Sequence, residues 1–113
     1  MKIRIVLAGL ILALAGCSSV SQGGYYWGNY SLSYFEMVKD RSAETIAKRI
    51  SALEDIIAQS KERDLRVPPG IHAELGMLFV EEGRKEDGMV QFQNEVSVYP
   101  ESQPFIERLV SRL

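Results

Sequence analysis

Few side chains in this 113-residue sequence have the chemistry for catalysis: there is one thiol, Cys17, and one imidazole, His72. That pair excludes a disulfide scaffold and fits a Cys/His zinc site poorly. Carboxylates are available at Asp40, Glu54, Asp55, Glu81 and Glu82. Helix faces supply such groups routinely, and a catalytic pair also needs a cleft and a perturbed pKa. Gly23-Gly24 is too short for a phosphate cradle and follows no strand. No nucleophile elbow, P-loop, HExxH or dinucleotide fingerprint occurs. The expectation is a non-enzyme with no catalytic residue, no metal and no cofactor. Thirteen basic against 15 acidic residues leave no basic footprint, so nucleic acid is not an expected partner. A hydrophobic content of 46% is too high for a disordered chain.

Cys17 gains its meaning from what precedes it. Lys2 and Arg4 lead into an apolar run from Ile5 to Ala15, broken only by Gly9. That run is about half the ~20 residues that span a bilayer, so it predicts the core of a signal peptide. It closes on Leu14-Ala15-Gly16-Cys17, which resembles the bacterial lipobox. The resemblance implies cleavage before Cys17, a diacylglycerol on its thiol and an acyl group on the new amine. Several chains anchor stably where one binds only marginally, at ~0.8 kcal/mol per buried CH₂. The competing reading is an ordinary secretory signal with an incidental cysteine. Ser18-Ser19 resembles the class sorted to the outer membrane, whereas Asp after the cysteine usually retains enterobacterial lipoproteins at the inner membrane. The expected location is the outer membrane, facing the periplasm.

Residues 1–16 are thus expected to be a lipoprotein signal peptide, 17–24 the lipidated cysteine with a flexible tether, and 25–113 a folded domain. The Gly/Ser-rich tether reaches at most about 25 Å, so the domain stays near the membrane. Six of the ten aromatic residues then fall within 25–35: Tyr25, Tyr26, Trp27, Tyr30, Tyr34 and Phe35. Gly28-Asn29 permits a turn among them, since both residue types tolerate positive φ. Three readings of this patch stand side by side: it packs back on the domain, it binds a partner, or it touches membrane. Tyr25, Tyr26, Trp27 and Tyr30 are the candidate partner-binding residues.

The remaining sequence reads as helices. Leu32–Lys39 predicts a short one. Ser42 is the N-cap of a longer helix with the stripe Ile46, Ile50, Leu53 and Ile57, and Glu44/Lys48 is an i,i+4 ion pair on its other side. The charged run 61–66 is a solvated exit. Val67-Pro68-Pro69-Gly70 is a break, with Pro69 expected to open the next helix. Leu75, Leu78 and Phe79 form a stripe ending at Gly83. Met89, Phe92, Val96 and Tyr99 form another, ending at Pro100. Pro104 starts a last helix. The fold class expected is all-α: a small bundle or short solenoid of about five helices.

Spacing between 69 and 102 is more specific, and resembles a tetratricopeptide repeat. His72 takes the Trp slot, followed by Leu75, Gly76 and Phe79 at the repeat's intervals. Gly83 falls at the turn, Gly88 in the first Ala slot, Phe92 at the Phe and Pro100 at the Pro. Small residues at 76 and 88 let two antiparallel helices approach closely. His72 and Glu95 depart from the pattern's Trp and second Ala. One repeat cannot bury its own faces, so the flanking helices must stack on it, and a partner or oligomerisation would add stability.

Tyr26-Trp27-Gly28-Asn29-Tyr30, Leu53-Glu54-Asp55-Ile56-Ile57, Val67-Pro68-Pro69-Gly70, Ala73-Glu74-Leu75-Gly76 and Tyr99-Pro100-Glu101-Ser102 together resemble a family of small bacterial lipoproteins of unknown function, the DUF4810 type. The resemblance implies a tetratricopeptide-like lipoprotein accompanying a curli-secretion-channel-like lipoprotein, and supplies no catalytic residue. The function expected is a lipid-anchored adaptor in an envelope complex, its partners the membrane through Cys17 and another envelope protein. The alternative is a regulator of a cell-wall synthesis enzyme. The short tether argues against it, because such an activator must cross the periplasm.

Overall fold

Ser42 starts the longest helix with a reciprocal cap. Its hydroxyl accepts from the Thr45 backbone N–H, and the Thr45 hydroxyl accepts from the Ser42 N–H at 2.9 Å. In this computed structural model, which describes residues 24–113, that helix is the second of five, and no strand is present among the described residues. The helices are α1 (Tyr30–Lys39), α2 (Ala43–Glu62), α3 (Ile71–Glu81), α4 (Lys85–Val98) and α5 (Gln103–Val110), with a 3₁₀ turn at Pro100–Ser102. Residues 1–23, which hold the expected signal peptide, Cys17 and most of the expected tether, lie outside the described residues. No helix among the described residues is long and apolar enough to cross a membrane.

Two stops share one geometry. At the end of α2, Leu65 N–H bonds Ser60 O and Asp64 N–H bonds Lys61 O, with Asp64 left-handed at φ 53°. At the end of α3, Arg84 N–H bonds Phe79 O and Gly83 N–H bonds Val80 O, with Gly83 at φ 79°. Both are Schellman closures. Gly83 acts as the stop its position predicted. Asp64 performs the same role inside the charged exit.

The expected opening of α3 at Pro69 is corrected. Gly70, at φ 89°, is the N-cap, and the helix begins at Ile71. Pro68 is buried and Pro69 exposed, and Ile71 N–H bonds Pro68 O at 3.3 Å, so Pro69-Gly70 forms the turn that leads into the helix. Gly70 has no side chain to cap the helix. The Glu95 carboxylate does so from α4, accepting from Gly70 N–H at 3.3 Å and Ala73 N–H at 3.2 Å. This is the physical reason for an acid where the repeat pattern has its second Ala.

Helices α3 and α4 run antiparallel and touch through glycine. A Cβ on Gly76 would stand 2.9 Å from Gly88 O, and one on Gly88 would stand 2.7 Å from Gly76 O. His72 is buried in the seam, its Nδ1 2.8 Å from Gln91 Oε1. Helices pack chiefly on their neighbours in the chain, α1 on α2, α2 on α3, α3 on α4 and α4 on α5. Met37, Leu53, Ile56, Ile71, Leu75, Leu78 and Phe79 form one apolar cluster, and Ala73, Phe92 and Ile106 another. Helix α3 contributes to both.

The inward face of α2 differs from the predicted stripe. Leu53 is fully buried, but Ile46, Ile50 and Ile57 are only partly so. The centre of the face is Arg49, Ala52, Leu53, Ile56 and Ser60. Spacings of 3, 1, 3 and 4 place these on one side of the helix as well as the predicted set does, but two polar members conceal the pattern. The Glu44–Lys48 pair forms at 3.3 Å on the exposed side, where its contribution is a few tenths of a kcal/mol.

Candidate functional site

Chain entry into the domain is set by a turn. Gly28 takes φ 44°, Trp27 O accepts from Tyr30 N–H at 2.9 Å, and α1 follows. Of the two residues that tolerate positive φ, Gly28 takes it, and Asn29 is the N-cap at φ −93°. The Gly28 site has a further requirement, because a Cβ there would stand 3.0 Å from the Tyr26 ring.

This turn splits the aromatic segment. Tyr26 and Tyr30 are partly buried against the first apolar cluster. Tyr26 donates to Asp55 Oδ2 at 3.2 Å and lies under the Arg63 guanidinium, 4.4 Å from its ring centre. Tyr30 lies under Arg49, 4.2 Å from its ring centre. Tyr25 and Trp27 point away, 40% and 42% exposed. They are held edge-on rather than loose, since the Trp27 ring is 6.1 Å from Tyr25 and 5.0 Å from Tyr30.

Over the Tyr30 ring lies the most buried charge of the described chain. Arg49 has no exposed side-chain surface. Its guanidinium donates to both Glu74 oxygens, to Ser33 Oγ at 3.0 Å and to Tyr30 O. Burial opposes its charge, but the Glu74 and Tyr30 contacts outweigh burial and hold its pKa above the ordinary value. The fork joins α1, α2 and α3, and fixes the base on which the aromatic turn sits.

Tyr25 leads into a cleft of about 470 Å³ bounded by Arg66, Gly70, Glu95, Tyr99 and Phe105. Tyr99 gives its one proton to Val67 O at 2.6 Å, and the Tyr25 hydroxyl stands 3.4 Å from the same phenol oxygen. Burial, reinforced by the Tyr25 contact, pushes the Tyr99 phenol well above the usual tyrosine range. Arg66 covers the Tyr99 ring at 4.4 Å and donates to Val98 O at 2.6 Å. The cleft therefore combines aromatic rims, a spread guanidinium and the acidic Glu101, a surface suited to hold a polypeptide segment. Among the described residues, no three His, Cys, Asp or Glu side chains stand together as a metal-binding group. His72 is used in the helix seam, and Asp55 in holding Tyr26.

The family model described as a domain of unknown function, DUF4810, matches residues 25–109. This chain belongs to that family. The matched stretch of the DUF4810 domain starts at Tyr25, so it includes the whole aromatic segment, and it ends at Leu109 within α5. No curated protein and no solved structure matches the chain.

Of the four candidate residues, the DUF4810 fold turns Tyr26 and Tyr30 toward its core and Tyr25 and Trp27 toward solvent. Three contributors to the site escaped sequence reading. Arg49 was hidden within an isoleucine-rich helix, although its position four before Leu53 and seven before Ile56 marked it. Glu95 was visible as a departure from the repeat pattern, without its cause. Arg66 sits in the charged run 61–66, and nothing local distinguishes it from its solvated neighbours.

Proposed function

We propose that this DUF4810 protein is a lipid-anchored adaptor: Cys17 holds it on the outer membrane, facing the periplasm, and the aromatic rim with its cleft binds another envelope protein. The observation that carries the reading is the pair Tyr25 and Trp27, which are exposed yet braced edge-on beside the cleft of Arg66, Tyr99 and Phe105. Rigid, exposed aromatic side chains next to a guanidinium are the residue types that dominate protein interfaces. The lipobox-like Leu14-Ala15-Gly16-Cys17 and the following Ser18-Ser19 support the anchor and its location. The glycine-to-glycine approach of α3 and α4 supports a tetratricopeptide-like hairpin, with neighbours stacked on both sides. The family resemblance makes a curli-secretion-channel-like lipoprotein the first partner to test.

A photoreactive phenylalanine at Trp27, crosslinked in intact cells, is expected to give one discrete protein adduct. The same group at exposed Lys48 on α2 serves as the control. No adduct from Trp27, or an equal spread of adducts from both positions, contradicts the adaptor. Loss of palmitate labelling on Cys17→Ala, with labelled wild type, tests the anchor separately.

A further inference from the structure

Helix α1 is apolar on two sides. Its inward side is Tyr30, Ser33 and Met37, packed on α2, with Ser33 and Met37 buried. Its outward side carries Leu32, Phe35 and Val38 at three-residue intervals, 55%, 60% and 63% exposed, flanked by Tyr34 at 49%. A surface helix ordinarily places charge there. The only charged residues on α1 are half-buried Glu36 and exposed Lys39, and no charged residue occurs between Gly24 and Phe35.

We propose that this outer face of α1 rests on the bilayer in which Cys17 is anchored, so that lipid covers Leu32, Phe35 and Val38. The proposal takes its proximity from the anchor reading of Cys17. Only the seven residues 18–24 separate that cysteine from Tyr25, a reach of at most about 25 Å. Composition favours lipid too. Phenylalanine, leucine and valine line the face, and Lys39 at its C-terminal end has a long stem able to lift its ammonium to the headgroups. Size argues against a protein in this place. A ten-residue helix is about 15 Å long, and its few apolar side chains fall short of the roughly 800 Å² per partner of a stable protein interface. A tethered surface needs little affinity of its own, because the anchor supplies the effective concentration. With α1 on lipid, the order of stacking puts α5 at the far end.

The test uses the full, acylated chain in phosphatidylethanolamine–phosphatidylglycerol vesicles. Acylation occupies Cys17, so a nitroxide on Phe35→Cys is the sole label, and Glu86→Cys at the start of α4 is the control. Expected is a label at 35 several-fold more accessible to oxygen than to a water-soluble nickel chelate, relative to the label at 86. Equal nickel access at both positions overturns the proposal and leaves the anchor standing. Shielding at 35 that appears only at high protein density assigns the face to a second copy, and shielding only on adding envelope extract assigns it to another protein; each overturns lipid. A chain whose mass shows no acyl groups, labelled at two thiols, overturns the anchor and this proposal with it.

Discussion

Arg49 combines complete burial with a full charge, which is costly unless every donor has a partner. Here the fork is met by Glu74, Ser33 and the Tyr30 carbonyl, and its face by the Tyr30 ring. Arg49→Met would leave the Glu74 carboxylate without its cation. Because the Glu74 side chain is 28% exposed, water recovers part of that loss, and the expected destabilisation is about 3 kcal/mol in denaturant unfolding at unchanged slope. A change below about 1 kcal/mol would mean the fork is not formed. Tyr99 gives a pH-dependent counterpart. Its phenol pKa is raised in the fold, so the folded state holds that proton more tightly than the unfolded chain. Its contribution is fully present below the ordinary tyrosine value near pH 10 and is lost as pH rises through the folded value. Tyr99→Phe removes the bond to Val67 O and lowers stability at neutral pH. It should also flatten the fall in stability above pH 10, and an unchanged alkaline slope would contradict the assignment.

At the scale of elements, the glycine contact between α3 and α4 makes a prediction opposite to the repeat pattern. Gly88 stands where that pattern has alanine, and helix propensity favours Ala over Gly by about 1 kcal/mol. Yet a Cβ at 88 would meet the Val80 Cγ2 at 2.6 Å and the Gly76 carbonyl oxygen at 2.7 Å, and a carbonyl on the facing helix cannot swing aside. Gly88→Ala is therefore expected to cost a net ~1–2 kcal/mol, because overpacking exceeds the propensity gain. Gly24→Ala, with open space around it, should be neutral. Stabilisation by Gly88→Ala would show that the helices stand further apart. The same contact explains what the sequence made legible. Stops at Gly83 and Pro100, the cap at Ser42 and the small residues at 76 and 88 are local or pairwise signals, and each forms as read. What was not legible depended on a third element. The Arg49 bonds to α1 and α3, the Glu95 cap on another helix and the Tyr99 contact with Tyr25 are matched across 16 to 74 residues of sequence, and no spacing rule records them.

Across the whole molecule, the helices form a short stack whose two apolar clusters meet only in α3. That explains why α3 is apolar nearly all round and shows little helical amphipathicity: Ile71, Leu75, Leu78 and Phe79 face one cluster while Ala73 faces the other. Stability in such a stack is approximately a sum of units and nearest-neighbour contacts, so damage at an end stays local. Helix α5 is the end least held, with Ile106 as its one buried residue. Ile106→Ala should cost about 2–4 kcal/mol in the contacts that seat α5. Amide exchange should report this cost unevenly. Protection of α5 and the last turn of α4 is expected to fall most, while α2 and the Ile71–Phe79 portion of α3 retain theirs, because α5 can open while the Leu53, Ile56 and Leu75 cluster stays closed. An equal fall in protection from α1 to α5 would show that the shared helix couples both clusters into one cooperative unit. The uneven result would instead mark α5 as the element able to move beside the cleft, whose lining includes Phe105 on that helix.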